Sequence, residues 1–143
     1  MEQLKLENQI CFPFYALSRL IIRAYQPQLD ALGITYPQYL VMLVLWEKDG
    51  LSVKQISEKL ILNTNTITPL LKRMEQMGLL KRVKSKADER KVLISLSSKG
   101  KDMQQAASCI PEALLANVTG ENISLDDLNV MKGRVNHWLE RMK

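Results

Sequence analysis

Cys11 is the side chain whose chemistry first asks for an explanation. It stands in the run QICFPFYAL among aromatic and aliphatic residues, where it is either an inert packed cysteine or a thiol positioned to react. A phenol that donates a hydrogen bond to sulfur favours the thiolate, and a thiolate can attack a peroxide oxygen and become a sulfenic acid. Three tyrosines are candidate donors. Tyr15 follows Cys11 by four residues and can share its helix face. Tyr25 follows by fourteen, about 21 Å along a helix axis, so it cannot touch the Cys11 of its own chain. Tyr36 is further away still. If Tyr25 and Tyr36 serve this thiol, they come from a second copy of the chain. Phe12, Phe14 and Leu17 around the sulfur would favour apolar organic peroxides over hydrogen peroxide.

Other chemistry finds little support. There are two cysteines, no CxxC and one histidine, which argues against a zinc site or a disulfide scaffold and predicts thiols that are reduced at rest. No metal or cofactor is expected. Cys109, beside Ala106 and Ile110, reads as a small apolar residue. His137, next to Trp138, reads as structural, and Trp46 reads as core. A thiol peroxidase would need a resolving cysteine or a general base near Cys11, and neither is evident, so the chain does not read as an enzyme.

Charge points elsewhere. Between Asn63 and Lys101 ten Lys or Arg face three acids, so this segment carries +7 and the remainder −2. A solvated helix face accounts for such a cluster as readily as a nucleic-acid footprint does, until the elements are placed. The 143 residues suit one domain spanning 1–143. No apolar run reaches the length of a membrane span, and the first residues are charged rather than a signal core, so a cytoplasmic protein is expected.

Apolar spacing at Ile10, Phe14, Leu17, Ile21 and Ala24 predicts a long helix over 8–32, ended by Gly33. Pro13 removes a helical N–H and leaves the Gln9 carbonyl without its usual donor, so a kink or a later start is expected. Thr35 with Gln38, and Ser52 with Gln55, form two capping boxes that open a central helix through YLVMLVLWEK and a short one to Leu60. A further helix carries Ile67, Leu70, Leu71, Met74 and Met77 and stops at Gly78; its start lies between Asn63 and Thr66, with Pro69 favouring the later position. Val83 and the alternation through Val92, Ile94 and Leu96 around SKADE predict a β-hairpin. A helix from Ser98, bent at Pro111, runs to Gly120, and Ser124 with Asp127 caps a last helix carrying Leu128, Met131, Val135, Trp138 and Met142.

The class is therefore mainly α with a small β-hairpin wing. Two short helices joined by a tight turn and followed by a basic hairpin make a winged helix-turn-helix, expected over 35–98. Double-stranded DNA is the natural partner. Thr66, Thr68, Lys72 and Arg73 lie opposite the apolar stripe of the second helix, and Lys84 and Lys86 flank the hairpin tip. Arg90 suits a narrow minor groove, or it only closes the turn through Asp88 or Glu89. Asp88 can also hold Arg90 in its working pose. The outer helices, 1–34 and 99–143, carry more apolar surface than such a core needs, which predicts a homodimer whose reading helices lie about 34 Å apart on a pseudo-palindromic operator.

The whole chain resembles the MarR family of winged-helix regulators. KLENQICFPFY, ITYPQYL, TPLLKRME and DERKVLISLS are similar to its organic hydroperoxide resistance regulator group. The resemblance implies a dimeric transcriptional repressor that leaves its operator when an organic hydroperoxide oxidises Cys11. It implies Tyr25 and Tyr36 as cross-subunit partners of the thiol and Tyr15 as support. It also implies Thr64, Asn65, Thr66, Thr68 and Pro69 on the reading helix, with Arg90 in the wing, as DNA contacts. Asn65 stands where a glycine is common, and asparagine can pair with adenine. The oxidised sulfur can go on to a mixed disulfide with a low-molecular-weight thiol. The alternative is a repressor of the same family released by a phenolic or aromatic ligand, with Cys11 as packing.

Overall fold

Proline decides where the first helix begins. In the computed structural model, which describes residues 1–119 and 122–143, helix α1 runs over Cys11–Leu32 and not from residue 8. The Gln9 carbonyl, deprived of a donor at Pro13, accepts instead from the Phe12 N–H at 3.3 Å. Two short 3-10 turns, Glu2–Leu4 and Leu6–Asn8, precede it. The Asn8 amide donates to the Glu2 carbonyl, and the Gln9 amide to those of Gln3 and Lys5. Pro27 lies inside α1, so the Arg23 carbonyl lacks its helical donor there. Gly33 ends the helix as expected: its φ of 68° lets its N–H reach Asp30 and Leu29 carbonyls while the Ile34 N–H bonds the Leu29 carbonyl.

Helix α2, Tyr36–Glu47, opens with the Thr35–Gln38 capping box and is the centre of the first compact unit, Met1–Ser108. Val41, Met42 and Leu45 are buried there with Ile56, Ile67, Leu71, Met74 and Ile94. Each such side chain stabilises the fold by about 1.5–3 kcal/mol relative to exposure.

The turn at Asp49–Gly50 leads into strand β1, Leu51–Ser52, and helix α3, Val53–Leu60. β1 was not foreseen. It pairs antiparallel with β3, Val92–Leu96, which also pairs with β2, Leu80–Lys84, so the expected hairpin is two strands of a three-stranded sheet ordered β1-β3-β2. The Asp49 carboxylate fixes the turn by accepting from the Gly50 and Leu96 N–H groups.

Helix α4, Thr64–Gln76, starts earlier than Pro69 suggested. Asn63 is its cap, with Oδ1 accepting from the Thr66 N–H at 2.9 Å. Pro69 then sits inside the helix and costs the Asn65 carbonyl its donor, where both residues are exposed to water.

The single bent helix expected from Ser98 is two helices, α5 over Ser98–Ala107 and α6 over Ile110–Val118. Pro111 is tolerated in a first turn, so it starts a helix here and does not bend one. Gly120, expected as the stop, lies outside the described residues. The second unit, Cys109–Lys143, also holds α7, Leu125–Met142. Its capping box is formed: the Asp127 carboxylate accepts from the Ser124 hydroxyl at 2.6 Å and from the Ser124 N–H at 2.9 Å, and these bonds hold its carboxyl below the usual value. No residue of α7 is buried, and Met131, Val135, Trp138 and Met142 all remain exposed.

Candidate functional site

Cys11 is the first residue of α1, and its thiol is exposed. Phe12, Phe14 and Leu17 around it are exposed too, so the first half of α1 presents an apolar face that Met1–Ser108 leaves open. Tyr15, one turn on, is exposed and has the Arg19 guanidinium 5.4 Å from its ring centre. Cys11 and Tyr25 ride on one uninterrupted helix, which keeps them about 21 Å apart along its axis.

Tyr25 and Tyr36 come together at the far end of that helix. Their ring centres are 5.0 Å apart, and Tyr39 closes a cluster at 5.8 Å from Tyr25 and 6.4 Å from Tyr36. Sequence reasoning missed Tyr39, which is buried, because nothing in the spacing of a helix apolar nearly all round marks one position as special. Burial, and then the neighbouring Tyr36 and Tyr39 phenols, push Tyr25 up to about 12; burial also raises Tyr36. Both therefore stay protonated at neutral pH and keep an O–H to donate. Within one chain the thiol and this cluster do not meet.

The basic segment is spread over α4 and the β2–β3 hairpin. Thr64, Asn65 and Thr66 form the exposed first turn of α4, and Lys72 and Arg73 are exposed further along. The Thr68 hydroxyl is engaged, donating to the Thr64 carbonyl at 2.7 Å. Lys84 and Lys86 are exposed on the hairpin. At its tip the Asp88 carboxylate accepts from the Arg90 N–H at 3.1 Å and from its Nε at 3.2 Å. The Arg90 side chain is nonetheless 92% exposed, so the ion pair shapes the tip without burying the guanidinium.

A cleft of about 810 Å³ lies between α3, α4 and the hairpin, lined by Ser52, Lys54, Thr64, Thr68, Arg82 and Arg90 among others. Lys54 and Arg82 were not singled out from the sequence. Arg82 is fixed by Glu75 of α4, whose carboxylate accepts from the Arg82 N–H at 3.0 Å. The alternation of β2 was the available signal, since it turns Arg82 to the opposite face from Lys81.

Cys109, expected as a packed apolar residue, is exposed at the N-cap of α6, where the expected single helix is interrupted between α5 and α6. Trp46 is half-buried, with its indole N–H donating to the Gly100 carbonyl at 2.9 Å. Among the described residues, no group of three or more His, Cys, Asp or Glu could hold a metal ion, and no single helix is long and apolar enough to cross a membrane.

Residues 23–107 match the family model for the transcriptional regulator SarA/Rot. Over 124 residues the chain is 49% identical to the organic hydroperoxide resistance transcriptional regulator of Bacillus subtilis, covering 85% of this chain and 84% of that one. The chain belongs to the SarA/Rot and MarR-type winged-helix regulators. It is a DNA-binding transcriptional regulator and not an enzyme. MgrA of Staphylococcus aureus is 34% identical over 143 residues, 99% of this chain and 97% of that one. Among solved structures, reduced AbfR bound to DNA superposes with a TM-score of 0.80 at 37% identity, covering 99% of this chain and 97% of that one. Disulfide-formed AbfR gives 0.66 at 36% identity, covering 99% and 94%. In this winged-helix regulator the β2–β3 hairpin belongs to the wing.

Proposed function

We propose that the chain is a dimeric repressor that senses organic hydroperoxides through Cys11 and then releases its operator. The observation that carries this reading is an exposed thiol on an open apolar helix face, on the same helix as, but far from, Tyr25, whose ring packs on Tyr36 of α2, both held as phenols. The 49% identity with a hydroperoxide resistance regulator supports it. So does AbfR, a relative whose solved structures include reduced, overoxidized and disulfide-formed states.

In a twofold dimer formed by residues 1–34 and 99–143, Tyr25 and Tyr36 of one subunit donate to the Cys11 sulfur of the other, with Tyr15 beside it. The thiolate attacks the outer oxygen of R–O–OH. An S–O bond forms, the O–O bond breaks, and the alkoxide leaves as the alcohol after taking a proton, so sulfur is oxidised to sulfenate and the peroxide reduced. A small thiol can then condense with the sulfenic acid, forming a mixed disulfide and releasing water. The larger sulfur group breaks the phenol contacts and repacks the interface. Thr64, Asn65, Thr66, Thr68, Pro69, Lys72 and Arg73 of the reading helix, with Lys84, Lys86, Asp88 and Arg90 of the wing, lose register with their half-sites. Moving such an equilibrium from 1:99 to 99:1 takes about 5.5 kcal/mol, within reach of a few hydrogen bonds and a displaced ring at each of two sites.

The test is Cys11→Ser, assayed on a duplex enriched by the parent protein from random sequences, at fixed salt. Cumene hydroperoxide is expected to abolish binding by the parent, with one oxygen added at Cys11 by mass, and to leave the variant bound. A variant released by peroxide as the parent is would refute the reading. A second reading, release by a phenolic ligand, draws on the three-tyrosine cluster as an aromatic wall; it predicts release of both proteins by the ligand, and an effect of peroxide that is the same in both or absent from both.

A further inference from the structure

The end of the reading helix is tied down at one place. Three successive carbonyls at the exit of α4 are taken by the first turn of α5. Lys99 Nζ donates to the Met77 carbonyl at 2.9 Å, Ser97 Oγ to that of Gly78 at 2.5 Å, and the Ser97 N–H to that of Leu79 at 3.1 Å. Ser97 Oγ in turn accepts from the Gly100 N–H at 3.0 Å, so the residue that caps α5 also holds the exit of α4. Gly100 lies against the same strand of chain, where an added Cβ would stand 2.1 Å from the Leu79 oxygen. The Gly100 carbonyl accepts from the Trp46 indole of α2, and Trp46 meets Tyr39 edge-on at 6.3 Å. Helix α5 packs on α1, α2 and β3.

These contacts make one joint of the α4 exit, the α5 cap and the aromatic cluster on α2. An ammonium on the last carbonyls of a helix also opposes the negative end of its dipole. We propose that Lys99 and Ser97 are positioning residues for operator recognition: they set the angle at which α4 is offered to the major groove and touch no DNA themselves. A helix that rocks about a loosened exit still meets phosphates, which bind through charge, but meets base edges poorly, since these demand fixed geometry. The inference rests on the DNA binding of the family and not on the reading of Cys11, so it stands or falls separately.

The experiment compares Lys99→Met with the parent, both reduced, on a duplex selected by the parent and on a scrambled duplex of equal length across a salt series. The variant is expected to lose about threefold to tenfold in the ratio of selected to scrambled affinity, the scale of one charge-assisted hydrogen bond partly screened by water. The salt slope should be unchanged, and Lys99→Arg, which keeps a donor, should restore the ratio. Ser97→Ala should act in the same direction. Equal weakening on both duplexes with the slope reduced by about one would make Lys99 a phosphate contact and overturn the proposal. Unchanged discrimination would overturn it too.

Discussion

Gly100→Ala is expected to destabilise the protein, although replacing a helical glycine by alanine ordinarily stabilises a helix. A Cβ at Gly100 would lie 2.1 Å from the Leu79 oxygen and 3.2 Å from Cδ2 of Leu96, whereas real Cβ contacts essentially never fall below 3.0 Å. The backbone on one side must withdraw by about 0.9 Å, the gap between 2.1 and 3.0 Å. It has little room to do so, because Leu79, Leu80 and Leu96 are buried and the Leu79 oxygen already accepts from the Ser97 N–H. Overpacking of this kind costs about 1–3 kcal/mol, and loosening the Ser97 bond about 1 kcal/mol more. Alanine's better helix propensity returns up to about 1 kcal/mol. The net loss is about 1–3 kcal/mol, a fall in melting temperature of about 3–10 °C for a chain of this size. Gly133→Ala is the control. It sits on α7 opposite the apolar stripe, with nothing within 4 Å of the added atom, so it should gain up to about 1 kcal/mol. Guanidinium unfolding followed by circular dichroism reads both, provided the m-value is unchanged. A Gly100→Ala protein as stable as its parent would refute the close packing of α5 on the loop after α4.

Asn63→Ala removes the cap that accepts from the Thr66 N–H and hydroxyl, so it should cost about 1 kcal/mol and speed amide exchange at Thr66, while Asn63→Asp keeps both. Unaltered exchange at Thr66 in the alanine variant would count against the observed start of α4. Tyr25 should be slow to ionise as pH rises. Its folded value, about 12, lies above the ordinary 10, so the stabilisation tied to its protonated form is complete below 10 and lost as pH climbs through about 12. Ultraviolet difference spectra should show a phenol titrating near 12 that moves down in Tyr36→Phe; ionisation of every phenol with free tyrosine would contradict the packing of the cluster.

What could be read from the sequence was what is decided within three or four residues. The boxes at Thr35, Ser52 and Ser124 are written in side chains that bond across one turn, and each appears where its residues are. Strand β1 was invisible because two residues carry no period, and one of them, Ser52, already had a local role as a cap. The start of α4 falls inside the expected range of Asn63 to Thr66, but earlier than Pro69 favoured, since an interior proline is costly in general. At this position Asn65 and Pro69 are both exposed, and Asn63 caps the earlier start by accepting from the Thr66 N–H. The joint at Ser97–Gly100 joins residues about twenty apart through backbone carbonyls, which no side-chain pattern records. The thiol is a different case. Cys11 and Tyr25 are on one helix, and because that helix is continuous, their separation follows from counting residues. A straight helix cannot fold back on itself to bring its two ends together, so a chemical partnership between them requires a second helix running the other way. A twofold axis supplies that second helix without any further sequence.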